Sequence, residues 1–82
     1  MLKIRRFPIK MVYVPSNRAK TLDGQKVLDF AEDILEHGQK TPIRLRADEK
    51  RFVLVEGYHR LEALHALGEE MIEGVLLGAR LH

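Results

Sequence analysis

The segment VEGYHRLEALHALG joins an apolar strand to a helix, and it places histidine and arginine side chains directly at the joint. A helix that begins just after a glycine presents backbone N–H groups without partners, together with the positive end of the helix dipole. Such an end is a natural seat for an anion. Gly57 permits close approach of a ligand, while His59 and Arg60 can donate hydrogen bonds, the guanidinium in a planar, paired geometry. The segment therefore predicts a phosphate site.

The same residues also have an ordinary structural interpretation. Gly57 could simply form a turn, with His59 and Arg60 as solvated residues that pair with Glu56 or Glu62. However, each cation at a helix N-terminus is locally unfavourable by a few tenths to about 1 kcal/mol. Two adjacent cations at this position therefore favour an anionic partner.

Other charged residues point less directly to chemistry. Arg44 and Arg46 alternate onto the wet face of a predicted strand, where they could contact a DNA backbone or simply protect the strand from aggregation. Arg18 lies in a loop after Pro15, and loops on a rigid scaffold often carry function. These residues are secondary candidates for anion contacts.

Metal and thiol chemistry find little support in the composition. The chain has no cysteine, which removes disulfides, thiol nucleophiles and thiolate ligands. Neither an HxxxH nor an HExxH spacing occurs, so we expect no zinc site. Glu56 and His59 could share a metal or act as a base, but two ligands do not define a metal site.

Hydrophobic periodicity assigns the elements that must position these residues. The predicted elements are a strand over 9–14, a helix over 24–37, strands over 43–46 and 52–55, a helix over 58–67 and a strand over 71–77. Asp23 or Thr21 can cap the first helix, and Gly38 can end it. The short polar turn between the two middle strands predicts an antiparallel hairpin.

These elements form one small α+β domain of order β-α-β-β-α-β over residues 1–82, with a mixed or antiparallel sheet and a core over about 9–77. A chain of 82 residues buries only about 60 to 65% of its unfolded surface, so its site should be a surface groove. The 45% hydrophobic and 32% charged residues and the net charge of +2 are typical of a soluble domain. We expect a cytoplasmic protein without a membrane partner, because it has neither a spanning apolar run nor a secretory signal.

The stretch from PSNRAKTL to VLVEGYHRLEA resembles the N-terminal domain of the ParB/sulfiredoxin superfamily, over about residues 9–75. Three features carry the resemblance: a loop in which Arg18 follows Pro15, a helix that ends in glycine before Pro42 and Ile43, and the VLVEGYHRLEA segment. Each is common alone, but their order and spacing together are specific. The resemblance implies a ParB/sulfiredoxin-like fold.

The resemblance also implies a role for the box Gly57-Tyr58-His59-Arg60. In ParB partition proteins the corresponding box is Gly-Glu-Arg-Arg and holds the triphosphate of CTP. In sulfiredoxin it is Gly-Cys-His-Arg and holds ATP phosphates beside a catalytic cysteine. Here Tyr58 replaces that cysteine, which excludes sulfiredoxin activity because no sulfur nucleophile is present.

Further site residues and a ligand follow from the resemblance alone. It implies that Arg18 approaches the phosphates from the opposite loop and that Gln39, Lys40 and Thr41 lie near the base or ribose. The implied ligand is CTP or ATP, with Mg²⁺. ParB proteins read DNA through a helix-turn-helix domain that follows this module, so sequence-specific reading does not carry over to these residues. DNA or a DNA-binding protein would supply the readout, and a homodimer is a separate expectation.

Three hypotheses result. The leading one is a nucleotide-binding module that acts as a switch or accessory in a DNA-related process. The second is a small phosphotransferase or NTPase with Glu56 as base, because a related archaeal ADP-dependent serine kinase has an acidic residue near the box. The third is a DNA-contacting domain that uses Arg44 and Arg46. The name ParB-like nuclease domain is attached to similar sequences, but the sequence offers no acidic cluster for a nuclease's metal ions.

Overall fold

A computed structural model describes residues 3–78, which form a five-stranded sheet with two main helices. In chain order the elements are β1 (Ile4–Pro8), a 3₁₀ turn (Ile9–Met11), β2 (Val12–Tyr13), α1 (Ser16–Ala19), α2 (Gly24–His37), β3 (Ile43–Asp48), β4 (Arg51–Glu56), α3 (Tyr58–Ala66) and β5 (Met71–Leu76). The α+β class predicted from the sequence is confirmed, as are the bounds of the first main helix.

The sheet is mixed, with strand order β1-β5-β3-β4-β2. The predicted antiparallel hairpin is present as β3 and β4. β5 runs parallel to β3 and antiparallel to β1, and β2 runs parallel to β4. The rings of Phe7 and Phe52 lie 4.9 Å apart although two strands separate β1 from β4. Since neighbouring strands are about 4.8 Å apart and side chains stand roughly perpendicular to a sheet, this contact indicates that the sheet curves.

The core lies between the sheet and α3. Its buried apolar residues are Phe7, Ile43, Leu45, Leu54, Leu61, Ala63, Leu64, Ile72 and Val75. α2 packs mainly on α3 and contains no fully buried residue. Leu35, which the sequence pattern places on the inward stripe of α2, is 73% exposed. α2 is therefore an outer layer, and the cleft between it and α3 opens to solvent.

The N-terminal segment corrects the sequence-based prediction of a strand over 9–14 and a core that begins near residue 9. β1 already pairs with β5, the chain then turns, and β2 retains only two residues. Phe7 is 2% exposed and belongs to the core. The error has a physical reason: β1 exists because it pairs with β5, some 65 residues along the chain, and local composition does not reveal that pairing. The predicted loop after Pro15 also contains one helical turn, α1.

The joint between β4 and α3 depends on Gly57. Its φ of 109° lies in the left-handed region, and a Cβ there would stand 2.6 Å from Cγ2 of Ile43. Only glycine satisfies both conditions. Gly74 makes a second close approach to the same residue, since its Cβ would lie 3.1 Å from Cγ1 of Ile43. Both glycines let neighbouring backbone pack tightly around Ile43, which is 1% exposed.

We predict that Gly57→Ala destabilises the fold more than Gly68→Ala. Gly68 also has a positive φ, of 81°, but a Cβ there would meet nothing within 4 Å. Gly68→Ala should cost only the backbone strain, about 1–2 kcal/mol. Gly57→Ala should add the overlap with Ile43, about 1–3 kcal/mol more. Urea denaturation of the two variants gives the difference, and equal free energies of unfolding would contradict the tight joint.

Candidate functional site

A cavity of about 620 Å³ lies between the start of α3, the α1 region and one face of α2. It is lined by Arg18, Thr21, Lys26, Asp29, Phe30, Asp33, Lys40, Gly57, Tyr58, His59 and Arg60. Its volume is within the range of small-molecule sites, roughly 300–1,000 Å³. Four lining side chains are cationic and two are carboxylates, so the cavity favours a negatively charged ligand.

The start of α3 forms one wall of this cavity and presents free backbone donors. Gly57 is the N-cap and has no side chain to cap the helix, and the first intrahelical bond runs from the N–H of Leu61 to the carbonyl of Gly57, 2.9 Å. The N–H groups of residues 58–60 therefore have no acceptor within the helix. Tyr58 additionally packs against the core, which anchors this turn.

Arg60 reaches from α3 to α2. Its guanidinium carbon lies 4.8 Å from the centre of the Phe30 ring, a cation–π contact. Among residues 3–78, no hydrogen bond or ion pair occupies the Arg60 guanidinium. The aromatic ring thus holds the side chain in place while its N–H donors remain available at the cavity wall.

His59 and Arg18 make specific contacts as well. The N–H of Asp23 donates to Nε2 of His59, 3.0 Å. Nη2 of Arg18 donates to the carbonyl of Val55, near the end of β4. An arginine carries five N–H donors, so this bond orients the Arg18 guanidinium and, within residues 3–78, leaves other donors without a partner. The structure thus brings Arg18, Gly57, Tyr58, His59 and Arg60, all predicted from the sequence, around one cavity.

The turn after α2 lies beside the same cavity. Lys40 lines it directly, and Gln39 and Thr41 line a smaller adjoining cavity of about 220 Å³. The side-chain amide of Gln39 bonds to the backbone N–H and carbonyl of Glu73, each at 2.8 Å, and to the carbonyl of Thr41 at 3.0 Å. Gln39 therefore ties the turn to β5, and its polar atoms are already engaged.

Asp33 is the centre of a small polar cluster on the cavity wall. Its Oδ1 lies 3.0 Å from Nδ1 of His37 and 3.3 Å from Nζ of Lys40. The hydrogen bond with His37, aided by Lys40, holds the pKa of the Asp33 carboxyl below its ordinary value. The carboxylate stays ionised in this cluster and partly offsets the charge of Lys40.

Three predicted residues, Glu56, Arg44 and Arg46, line neither the main cavity nor the smaller adjoining one. Glu56 is exposed and its Oε1 lies 3.4 Å from Nε of Arg44, its cross-strand neighbour. Arg46 lies on the same face of β3 as Arg44 and is exposed. Glu56 does not line the cavity, so no observation favours it as a base for a ligand bound there.

Sequence analysis missed the contribution of α2 to the site. Lys26, Asp29, Phe30 and Asp33 line the cavity, and none was a sequence candidate. Their spacing of three to four residues places them on one side of the helix, next to the apolar stripe. The spacing could have predicted that these residues share one face of the helix. It does not predict which element packs opposite that face.

The described part of the chain has neither a metal-binding cluster nor a membrane-spanning helix. Within residues 3–78, no group of three or more His, Cys, Asp or Glu side chains is placed to hold a metal ion. No helix in the same range has the length and hydropathy needed to cross a membrane.

Comparison with solved structures places the fold in the ParB/sulfiredoxin superfamily. Sulfiredoxin from Arabidopsis thaliana matches with a TM-score of 0.84 and 25% identity, over 94% of this chain and 86% of that one. The C-terminally truncated chromosome-partitioning protein ParB from Caulobacter crescentus, complexed with CTP-γ-S, matches with a TM-score of 0.80 and 20% identity, over 95% of this chain and 46% of that one. A free serine kinase in complex with AMP matches with a TM-score of 0.75 and 20% identity, over 90% of this chain and 30% of that one.

The sequence itself gives the family. A model of the ParB N-terminal domain matches residues 3–78, and the chain belongs to that family. The resemblance inferred from the sequence is thereby confirmed. The chain spans less than half the length of the ParB and kinase structures that it matches. Comparison with curated protein sequences finds no match.

We predict that His37→Ala raises the pKa of the Asp33 carboxyl. The hydrogen bond with His37 is the main cause of the lowered pKa, so its loss should move the pKa towards the ordinary value. A pKa that is lowered in the folded state stabilises the protein at pH values above the unfolded-state pKa. This stabilisation is lost as the pH falls through the folded-state pKa. Carboxyl NMR titration measures the change, with Lys50→Ala as a distant charge control. An unchanged pKa in His37→Ala would contradict the cluster.

Proposed function

We propose that this chain is a nucleotide-binding module of the ParB type, with the phosphates seated at the start of α3. The observation that carries the proposal is the uncapped first turn of α3, which faces a cavity with a cationic excess. The free N–H groups of residues 58–60 and the helix dipole offer donors and positive potential to a phosphate. His59 and Arg60 add side-chain donors on the same turn, and Arg18 closes the site from the α1 side.

The cavity extends beyond the room that a phosphate group needs. Its α2 side presents Phe30, Asp33 and Lys40, an aromatic ring with hydrogen-bonding groups of both signs. A ribose and base can be bound there by apolar contact and by hydrogen bonds to carboxylate and ammonium groups. Lys40 and Thr41 are proposed as contacts on this side, whereas Gln39 supports them by fixing the turn to β5.

The ligand class is proposed from this chemistry together with the relatives. One similar structure holds CTP-γ-S and another holds AMP, so a cytidine or adenosine nucleotide is the first choice. Mg²⁺ would enter with the phosphates, since it prefers phosphate and water oxygens to dedicated protein cages. We further propose a cytoplasmic switch or accessory role in a DNA-related process, with DNA, a DNA-binding protein or a second copy as partner.

We predict that the protein binds CTP or ATP with Mg²⁺ and that Arg60→Ala weakens this binding about ten- to hundredfold. The loss corresponds to one charge-assisted hydrogen bond, about 1.5–3 kcal/mol. Isothermal calorimetry with CTP, ATP and ADP measures the affinities, and phosphate release from the same mixtures reports any hydrolysis.

Lys50→Ala is the matched control, because it also removes one cation but from the turn at the far end of β4. It should leave the affinity unchanged. Absence of binding by all three nucleotides at millimolar concentration would overturn the proposal. Equal effects of Arg60→Ala and Lys50→Ala would show that only net charge matters and that the site is misplaced.

The DNA partner is tested through the exposed face of β3. If Arg44 and Arg46 contact phosphates, the double alanine variant should weaken duplex binding and reduce the salt slope by about 2. Of the two single variants, Arg46→Ala should weaken DNA binding more than Arg44→Ala. Arg44 already pairs with Glu56, whereas no ion pair within residues 3–78 involves Arg46. Fluorescence anisotropy at several salt concentrations measures both. Binding without salt dependence would exclude this contact.

A further inference from the structure

One hydrogen bond fixes the protonation pattern of His59. The N–H of Asp23 lies 3.0 Å from Nε2 of His59. A backbone N–H can only donate, so Nε2 must accept and carries no proton. The neutral ring then holds its proton on Nδ1. The geometry therefore defines one tautomer of His59, with an acceptor towards α2 and a donor at the other ring nitrogen.

The same bond completes the start of α2. Asp23 is the N-cap, and its Oδ1 accepts from the N–H groups of Gln25 at 2.9 Å and Lys26 at 3.4 Å. In a capping box, a Glu or Gln at the third helical position accepts the N–H of the N-cap residue. Here that position is Lys26, whose ammonium group has no acceptor. His59, from the other helix, supplies the missing acceptor.

We propose that His59 is a positioning residue that couples the proposed phosphate site, at residues 57–60, to the start of α2. Nε2 holds the N-cap of α2, and Nδ1–H is the donor that His59 offers to an anion in the cavity. An anion bound to Nδ1–H restricts the ring and so strengthens its bond to Asp23. Ligand binding at α3 thus stabilises the first turn of α2, the opposite wall of the cavity. The anion half of this proposal rests on the proposed function, whereas the tautomer and the cap do not.

The ligand-free protein tests the tautomer directly. Long-range ¹H–¹⁵N correlation spectra of the histidine rings at neutral to mildly alkaline pH distinguish a protonated Nδ1 from a protonated Nε2. We expect His59 to show the Nδ1–H tautomer, with the other ring signals as internal references. A protonated Nε2, or averaging between both tautomers, would overturn the proposal.

Two substitutions separate the roles of the two ring nitrogens. His59→Gln keeps an acceptor near the position of Nε2, whereas His59→Asn places its amide near Nδ1 and cannot reach Asp23. Loss of one hydrogen bond should speed amide hydrogen exchange of Asp23 about fivefold in His59→Asn and little in His59→Gln. Lys26→Gln supplies a capping-box acceptor within α2 and should restore slow exchange in the His59→Asn background. Equal exchange in both His59 variants, or no rescue by Lys26→Gln, would refute the cap.

Inorganic tripolyphosphate tests the coupling without a nucleoside. It should slow exchange of the Asp23 amide in the wild-type protein and leave it unchanged in His59→Asn. Equal slowing in both proteins would refute the coupling while leaving the phosphate site intact. No binding of tripolyphosphate would overturn the anion half together with the proposed function, and the tautomer and cap measurements would still decide the other half.

Discussion

The close packing of Gly57 on Ile43 is the constraint from which the site follows. Ile43 is almost fully buried at the start of β3, and the chain leaves β4 directly over it. A side chain at residue 57 would push α3 away from the sheet, and with it the first turn that lines the cavity. The glycine therefore fixes where the helix begins, and its lack of a side chain leaves that beginning uncapped. The geometry that the fold requires is also the geometry that an anion can use.

A half-buried apolar face, in which Ile34 packs against the core, and two specific contacts with α3 hold α2 in place over the cavity. α2 has no fully buried residue, and it meets α3 through the Asp23–His59 hydrogen bond and the Phe30–Arg60 contact. The Gln39 side chain ties its C-terminal end to β5. Regions with few buried apolar contacts open at low free-energy cost. One wall of the cavity is thus rigid, because α3 belongs to the core, and the other is held by contacts that a ligand can strengthen or replace.

Much of the fold could be predicted because its signals are local. Asp23 and Gly38 bound α2 as the sequence indicates, and the polar turn gives the β3–β4 hairpin. β1 could not be predicted in this way, since its pairing with β5 joins the two ends of the described chain. The same limit applies to α2: its apolar spacing predicts an inward stripe but not that Leu35 is largely exposed. The box at residues 57–60 was found because a whole motif lies within one short segment.

The sequence by itself determined the box at residues 57–60, the main helices and the hairpin, because each depends on residues close together in the chain. It also determined the family, through the order and spacing of three such local segments. Tertiary structure alone decided which side chains share the cavity. It placed Phe30 against Arg60 and Asp33 beside Lys40. It also placed Glu56 beside Arg44, outside the site, and made His59 an acceptor at the start of α2. These outcomes depend on how α2 packs on α3 and on how the sheet coils. Both are set by contacts between segments that are distant in the chain, and local periodicity and spacing do not predict such contacts.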